Sequence, residues 1–526
     1  MSTLNALLDR AAREGGTRTA LVAGSREISF EALRADVLAL AEGLRRAGVE
    51  KGARVSIVHR NAPEFVAAYF ALARLGAIAV PLNFMVQKPD ELAYMLNDCA
   101  AVGVVTQSEF LKGLAGAAEK CPALASLWLT DRAPKDGDAS VVKDFAALRA
   151  APAADAGADA AAEDDVVSIL YTSGTTGFPK GVMLTHRNLV TNCEASIKRI
   201  TLKRGDATLC ILPMFHSFAW TAIVLTSLRL TMKCVISASI APAKPWLKAM
   251  GRHRVTMFAA VPQVYAALTR ETRDLKTRLF LRWWAFRKVR VAVSGAAPLA
   301  PSVAEGFTKA IGVGIIEGWG LTETSPVATV NPPDDIRLGT VGTPIDGVRV
   351  KTIDDEGRDL PLGEEGEICV KGDNVMKGYW NKPDDTRAAF TPDGWFKTGD
   401  VGVLDADGYL SIRDRKKDMI IIKGLKVFPA QVEAVIAENP EVEESAVVGL
   451  PDETGDETIK AYVVAKKGCR LDKSALMKFF RERLDAYKRP RDVEIVDALP
   501  KNALQKVLKR ELRQRELDKR AGSGKA

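Results

Sequence analysis

The chain has 526 residues, 47% hydrophobic and 27% charged, with a formal net charge of +8 at pH 7. That length suggests about three or four core-sized units, and the composition is ordinary for a globular enzyme. The longest apolar stretch, Trp220–Ala241, is broken by Arg229 and Lys233, short of the roughly 18 uninterrupted residues that a membrane-crossing helix needs.

From the N-terminus, Asp9 and Arg10 stand where an export signal would need its apolar run, so a cytoplasmic location is expected. Strand and helix signals then alternate. Arg54–Val58 reads as a strand, Pro63 as a first helical residue, Phe65–Leu75 as helix and Ala77–Val80 as strand. Pro89 opens a helix to about Asp98, and Val102–Val105 is a strand. Alternation of this kind predicts parallel sheet with helical crossovers. The segment 150–165 is rich in Ala, Asp and Gly and reads as a surface loop. From Val348 the texture becomes short runs with turn signals at Asp355–Gly357 and Asp405–Gly408, which predicts antiparallel hairpins.

After Asp418 the pattern restarts as a compact α+β unit of about 100 residues, a common domain size. Ile420–Ile422, Ser445–Gly449, Ala461–Ala465 and Val493–Val496 are its strands. Val432, Val435 and Ile436 mark one helix and Lys473–Leu484 another. The expected fold is therefore α/β, with a large multi-layer N-terminal domain of mixed sheets and helices over 1–413, a charged connection over 414–418, a small α+β C-terminal domain over 419–515 and a charged, frayed tail over 516–526. The seven cysteines, at 99, 121, 193, 210, 234, 369 and 469, show no metal-type pairing, and the four histidines are well separated. Both features argue against a zinc site and for reduced thiols.

Between Arg270 and Arg290 eight basic residues face two acidic ones and are interleaved with Phe280, Trp283, Trp284 and Phe286. This pattern fits a peripheral contact with anionic lipid at the inner membrane face, and equally a helix with its aromatics in the core. Neither reading is a nucleic-acid module, and nothing in the sequence signals an oligomeric state.

Tyr171-Thr-Ser-Gly-Thr-Thr-Gly-Phe-Pro-Lys180-Gly181, directly after the apolar run Val166–Leu170, is the most informative segment. Glycines let the backbone approach closely, N–H groups and hydroxyls donate to anionic oxygens, and the lysine adds charge, a combination suited to polyphosphate. It is not a Walker loop, whose lysine follows glycine and precedes Ser or Thr. The segment resembles the phosphate-binding signature of the adenylate-forming acyl-CoA synthetase and luciferase superfamily. Further signatures follow in the same order: Pro213-Met-Phe-His216, Ser294-Gly-Ala-Ala-Pro298, Glu317-Gly-Trp-Gly-Leu-Thr-Glu323, Thr398-Gly-Asp400, Asp414-Arg-Lys-Lys-Asp418, Lys423-Gly424 and Pro500-Lys-Asn-Ala-Leu-Gln-Lys506.

The resemblance implies an enzyme that joins a small-molecule carboxylic acid to AMP and then to CoA, using ATP, Mg²⁺ and CoA. Thr172, Ser173, Gly174, Thr175, Thr176, Gly177 and Lys180 would hold the β- and γ-phosphates, Thr176 also acting in catalysis. Gly295, Ala296 and Ala297 would wall the adenine slot, which the Glu317, Gly318, Trp319 and Gly320 segment closes by stacking Trp319 on the purine. Thr322 would contact phosphate and Glu323 would ligate Mg²⁺. Asp400 would accept from the ribose hydroxyls, and Arg415 would donate to the ribose or phosphate side. Lys506 would bridge carboxylate and α-phosphate, although Gln505 precedes it where the family usually has Gly. Lys417 would be the hinge of a mobile C-terminal lid, Lys423 and Gly424 would border the pantetheine passage, and His216 would stand near the acyl carboxylate, a core histidine being the alternative.

Val261–Pro262, Ser294–Ala296, Leu321 and Phe218–Trp220 would line an acyl site without a second cation. The segment from Glu317 to Pro326 looks most like that of fatty acyl-CoA ligases, which implies a medium- or long-chain fatty acid. An aryl acid of the 4-coumarate or benzoate type, loading of a carrier protein, and a catalytically silent binding protein are the alternatives.

Overall fold

The computed structural model describes residues 3–150, 161–172, 179–422, 425–452, 457–502 and 507–523. The chain divides into two compact units, Met1–Val350 with Val370–Phe396, and Lys351–Cys369 with Lys397–Ala526. The connection expected at 414–418 lies inside the second unit.

The first unit is built on two large sheets. In the eight-stranded one, Arg54–Val58 sits between Ile78–Pro81 and Gly103–Thr106, parallel to both. Parallel neighbours need long crossovers, here the helices Pro63–Leu75 and Pro89–Asp98. Each opens on proline, whose missing N–H costs nothing at a first helical position. Every residue from Pro63 to Arg74 except Glu64 is buried, so this helix lies in the interior with no solvent face. Tyr69 on it packs against Trp220, ring centroids 4.0 Å apart. Trp220 is thereby a core residue, and of the expected acyl-site segment Phe218–Trp220 it belongs to the packing. Beyond Ile78–Pro81, Val166–Thr172 pairs antiparallel with Lys180–Thr185, with Thr172 opposite Lys180.

The nine-stranded sheet has a parallel centre that runs through Ala207–Cys210, Met257–Ala260, Val291–Ser294 and Ile315–Gly320. At its edge Ile315–Gly320 meets Val327–Val330 antiparallel. In the second unit, Phe396–Leu404 and Leu410–Arg415 form the expected hairpin. Asp405 Oδ1 accepts the Asp407 and Tyr409 N–H groups at its turn. The three-stranded sheet joins Val442–Pro451, Glu457–Ala465 and Asp492–Ile495. The helices Pro429–Ala437 and Lys473–Arg483 contribute Val432, Ile436, Leu476 and Phe480 to its core.

The frayed tail is corrected. Lys509–Ser523 is a helix, with Leu512 buried beside Leu499 and Tyr462 and Glu516 2.7 Å from the Lys460 ammonium. Lys460 is only 6% exposed and also meets Glu494 at 2.8 Å and Asp492 at 3.2 Å. A buried ammonium requires counter-charge, and the tail supplies part of it.

Candidate active site

The C-terminal ends of Val291–Ser294 and Ile315–Gly320 lie side by side, with Ser294 opposite Glu317. Loops at the carboxyl ends of parallel strands are where open α/β sheets bind ligands. Ala296 follows in a left-handed conformation, φ 69°, a strained choice for a residue with a Cβ. A Cβ on Gly295 would lie 3.4 Å from the Phe218 ring, so the turn Ser217–Ala219 that follows His216 meets the Gly295–Ala297 loop here. On the next strand a Cβ at Gly318 would come within 2.6 Å of Val330, and one at Gly320 within 1.8 Å of the Pro326 carbonyl oxygen. Neither position admits a side chain. The half-buried Trp319 between them packs on the core edge. Glu317 is buried and accepts the Leu299 N–H at 3.1 Å; burial pushes its carboxyl up to about 7.

Leu321 leads into the short helical turn Thr322–Thr324. Neutral amides hold this turn: Asn192 and Asn374 both donate to the Thr324 carbonyl, at 3.3 and 3.0 Å. The Glu323 carbonyl accepts the Met376 N–H at 2.8 Å. Two residues on, Gly378–Tyr379 adds a short strand to Lys180–Thr185. One segment, 376–380, therefore ties the carboxylate-bearing turn to the strand that begins at Lys180.

The side chains converge accordingly. The Tyr379 hydroxyl donates to Glu323 Oε1 at 3.1 Å, and Lys180 Nζ lies 5.3 Å from the centre of the Tyr379 ring and 2.9 Å from Asp385 Oδ1. Burial, and then the Glu323 charge, hold the Tyr379 phenol well above its ordinary range, so it stays a donor. The sequence reading missed Tyr379 and Asp385. The only signal for them was a Gly-Tyr-Trp-Asn run that fits no spacing rule by itself. Glu323 offers carboxylate oxygens beside a polyphosphate-type lysine, a hard donor set that fits Mg²⁺.

His216 is half-buried and caps the short turn after it, its Nδ1 accepting the Phe218 N–H at 3.2 Å. In the second unit Asp400 and Arg415 face each other across the hairpin. Arg415 Nε lies 3.1 Å from Asp400 Oδ1, and the Asp400 side chain is only 6% exposed. Asp414 accepts the Ala430 N–H at 2.7 Å, at the start of the Pro429–Ala437 helix. Lys417 is exposed, and Lys416 reaches Glu367 at 3.0 Å and Asp355 at 3.1 Å. Ser173, Gly174, Thr175, Thr176, Gly177, Lys423, Gly424 and Lys506 lie outside the described residues. The flanks of the last are fixed, since Lys501 and Val507 pair as an antiparallel bridge.

The AMP-binding enzyme family model matches residues 8–380, and the AMP-binding enzyme C-terminal domain model matches residues 431–506. A feruloyl-CoA synthase of Amycolatopsis sp is 36% identical over 512 residues, covering 96% of this chain and 97% of that protein. A long-chain-fatty-acid–CoA ligase of Bacillus subtilis (strain 168) is 33% identical over 548 residues, covering 98% and 95%. Of solved structures, the anthranilate CoA ligase AuaEII in complex with anthranoyl-AMP superposes with a TM-score of 0.87 at 28% identity, covering 97% and 96%. ATP-bound MatB from Rhodopseudomonas palustris superposes with a TM-score of 0.85 at 31% identity, covering 97% and 98%.

Proposed function

Because the chain belongs to the AMP-binding enzyme family, as an AMP-forming acyl-CoA ligase that uses ATP, Mg²⁺ and CoA, we propose that it activates a medium- or long-chain fatty acid. In the first step a carboxylate oxygen attacks the α-phosphorus of ATP and pyrophosphate leaves. In the second the CoA sulfur attacks the acyl carbon, loses its proton, and AMP leaves. Neither step needs a covalent enzyme intermediate, so positioning and preorganised charge carry the catalysis.

The observation that supports the reading best is the convergence of Lys180, Tyr379 and Glu323 within one unit. Thr172 and Lys180, with the hydroxyls between them, hold the β- and γ-phosphates, and Tyr379 orients the Glu323 carboxylate. Mg²⁺ held at Glu323 would neutralise charge on the phosphate oxygens. The Gly295–Ala297 loop and Trp319 take the adenine between them, Asp400 accepts from the ribose, and Lys506 bridges the two reacting anions. Lys417 is the pivot that exchanges Lys506 for Lys423 and Gly424 before the thiol enters. Proline there restricts φ at 417 and the backbone before it, so Lys417→Pro slows thioester formation more than adenylation.

A fatty substrate is supported by the apolar character of Val261, Pro262 and Phe218, all buried, with the Phe218 ring against Gly295. The feruloyl-CoA synthase at 36% identity favours an aryl acid as the second reading. Acid-dependent release of pyrophosphate and AMP, measured with CoA over a panel of alkyl and aryl acids, decides between them. A preference for cinnamate-type acids would replace the fatty-acid assignment, and release of ADP with orthophosphate would overturn the adenylation reading itself.

A further inference from the structure

We propose that the face formed by residues 270–290 docks the protein on an anionic lipid bilayer. The helix Leu275–Phe280 continues into the helical turn Leu281–Ala285. Leu275, Leu279 and Trp283 fall at successive i, i+4 positions and share one side. They are 57%, 47% and 66% exposed, unusual values for such side chains. The other side is anchored: Leu281, Ala285 and Phe286 are buried, and Trp284 packs on Gly251, where a Cβ would meet its indole nitrogen at 2.2 Å. The two readings of the sequence thus divide between residues, with Phe286 in the core and Trp283 outside it.

Charge selects the occupant. All eight Lys and Arg residues between 270 and 290 are exposed, against two acidic residues, and one of those, Asp274, is engaged in capping the helix. The Arg282 guanidinium lies 5.5 Å from the Trp283 ring centre, and that of Arg287 lies 5.2 Å from Trp284. The adjoining helix Ala243–His253 adds exposed Lys244, Lys248 and Arg252. A stripe of Leu and Trp rimmed by guanidinium groups matches the boundary between acyl chains and lipid phosphates, where the apolar side chains enter and the cations stay with the headgroups. Nucleic acid would satisfy the rim and leave Leu275 and Leu279 without apolar partners. Among the described residues no helix is long and apolar enough to cross a membrane, so the contact is peripheral.

The face is remote from the nucleotide loops. Arg290 N–H donates to the Thr256 carbonyl just before Met257–Ala260, at the N-terminal ends of the parallel strands, whereas Gly295 and Trp319 lie at their C-terminal ends. Docking therefore leaves the chemistry untouched.

The test is co-sedimentation of the full chain with vesicles of phosphatidylcholine alone and of phosphatidylcholine mixed with phosphatidylglycerol. The wild type should bind the mixed vesicles selectively and be released by salt. Arg278→Glu with Arg282→Glu should weaken binding by at least about 25-fold, from about fivefold per basic charge near the surface. Leu279→Ser with Trp283→Ser should weaken it without lowering the melting temperature. Both variants should turn over a water-soluble short-chain acid as the wild type does, or leave it equally unused. Equal binding to the two vesicle types, binding to neither, or a serine variant that binds as the wild type overturns the proposal. So does a dimer that the serine substitutions dissociate in the absence of vesicle binding, which would make the face a contact between two copies.

Discussion

The two units fix their functional positions by different means. Around the edge of the first unit proposed to bind nucleotide, the turn at Thr324 is held by neutral groups: Asn192 and Asn374 donate to the Thr324 carbonyl, and Gly318 and Gly320 pack where no Cβ fits. In the second unit ionic contacts do the same work, with Lys460 among Asp492, Glu494 and Glu516 and Asp355 shared by Lys416 and Lys426. The proposed binding of a polyanion at the first unit's edge would account for the contrast. Amides and glycines shape the backbone here, and the charges present, Lys180 paired with Asp385 and Glu323 bonded to Tyr379, are those proposed to meet the triphosphate and Mg²⁺. The second unit carries no such restriction away from Asp400, Arg415 and Lys506, the positions proposed to meet the substrates.

The largest effect should come where charge does chemistry. Lys506→Ala should suppress acyl-adenylate formation by roughly 10²–10³-fold, the scale for one preorganised stabilising donor. Thioester formation from supplied acyl-adenylate should largely survive. Quenched-flow measurement of each half-reaction checks this, and equal loss in both would remove Lys506 from its assigned role.

Next comes the structural charge. Lys460→Met leaves three carboxylates around an apolar side chain and should cost about 3 kcal/mol, the lower end for removing one partner of a buried ion pair. Chemical denaturation should show the second unit unfolding earlier. The matching cut in the first unit, Asn192→Ala, removes donors to the Thr324 and Val327 carbonyls and should cost about 2 kcal/mol. The salt response separates them: added salt should screen the repulsion among the partly exposed carboxylates that Lys460→Met leaves and so shrink its cost, while the cost of Asn192→Ala stays unchanged. Equal salt responses would break the contrast between the units.

How far the sequence disclosed this arrangement follows the same divide. The strand Arg54–Val58 and the helices opened by Pro63 and Pro89 were legible because local pattern and burial agree. Lys180, Glu323, Asp400 and Arg415 could be proposed from the sequence because each sits in a short motif. Tyr379 was not, since its partner Glu323 lies 56 residues away and only the added strand Gly378–Tyr379 brings them together. The helix Lys509–Ser523 was misjudged for a related reason. Its charges read as solvated, and nothing local reveals that Lys460 is buried and needs Glu516. Interleaved charge and aromatic residues at 270–290 left two readings open because composition does not state which side chain faces inward.

The smallest effect probes a charge that the first unit does tolerate. Glu317 is buried, with a carboxyl pushed up to about 7 from its ordinary value of 4.5. Its folded pKa is raised, so between those two values the unfolded chain loses its proton first. Wild-type stability should therefore fall as pH rises from about 4.5 to 7, and stay level above that window. The linkage ceiling is about 3 kcal/mol at 1.36 kcal/mol per unit. Glu317→Gln keeps an oxygen to accept the Leu299 N–H and abolishes the titration. Its added amide donors need partners, which offsets part of the gain, so a net stabilisation of about 1 kcal/mol is expected at pH 8. Denaturant midpoints of both proteins measured at pH 5, 6, 7 and 8 should diverge steadily across this window. Parallel curves would mean that Glu317 ionises in the fold as it does in water, and that the nucleotide edge holds a second permanent carboxylate beside Glu323.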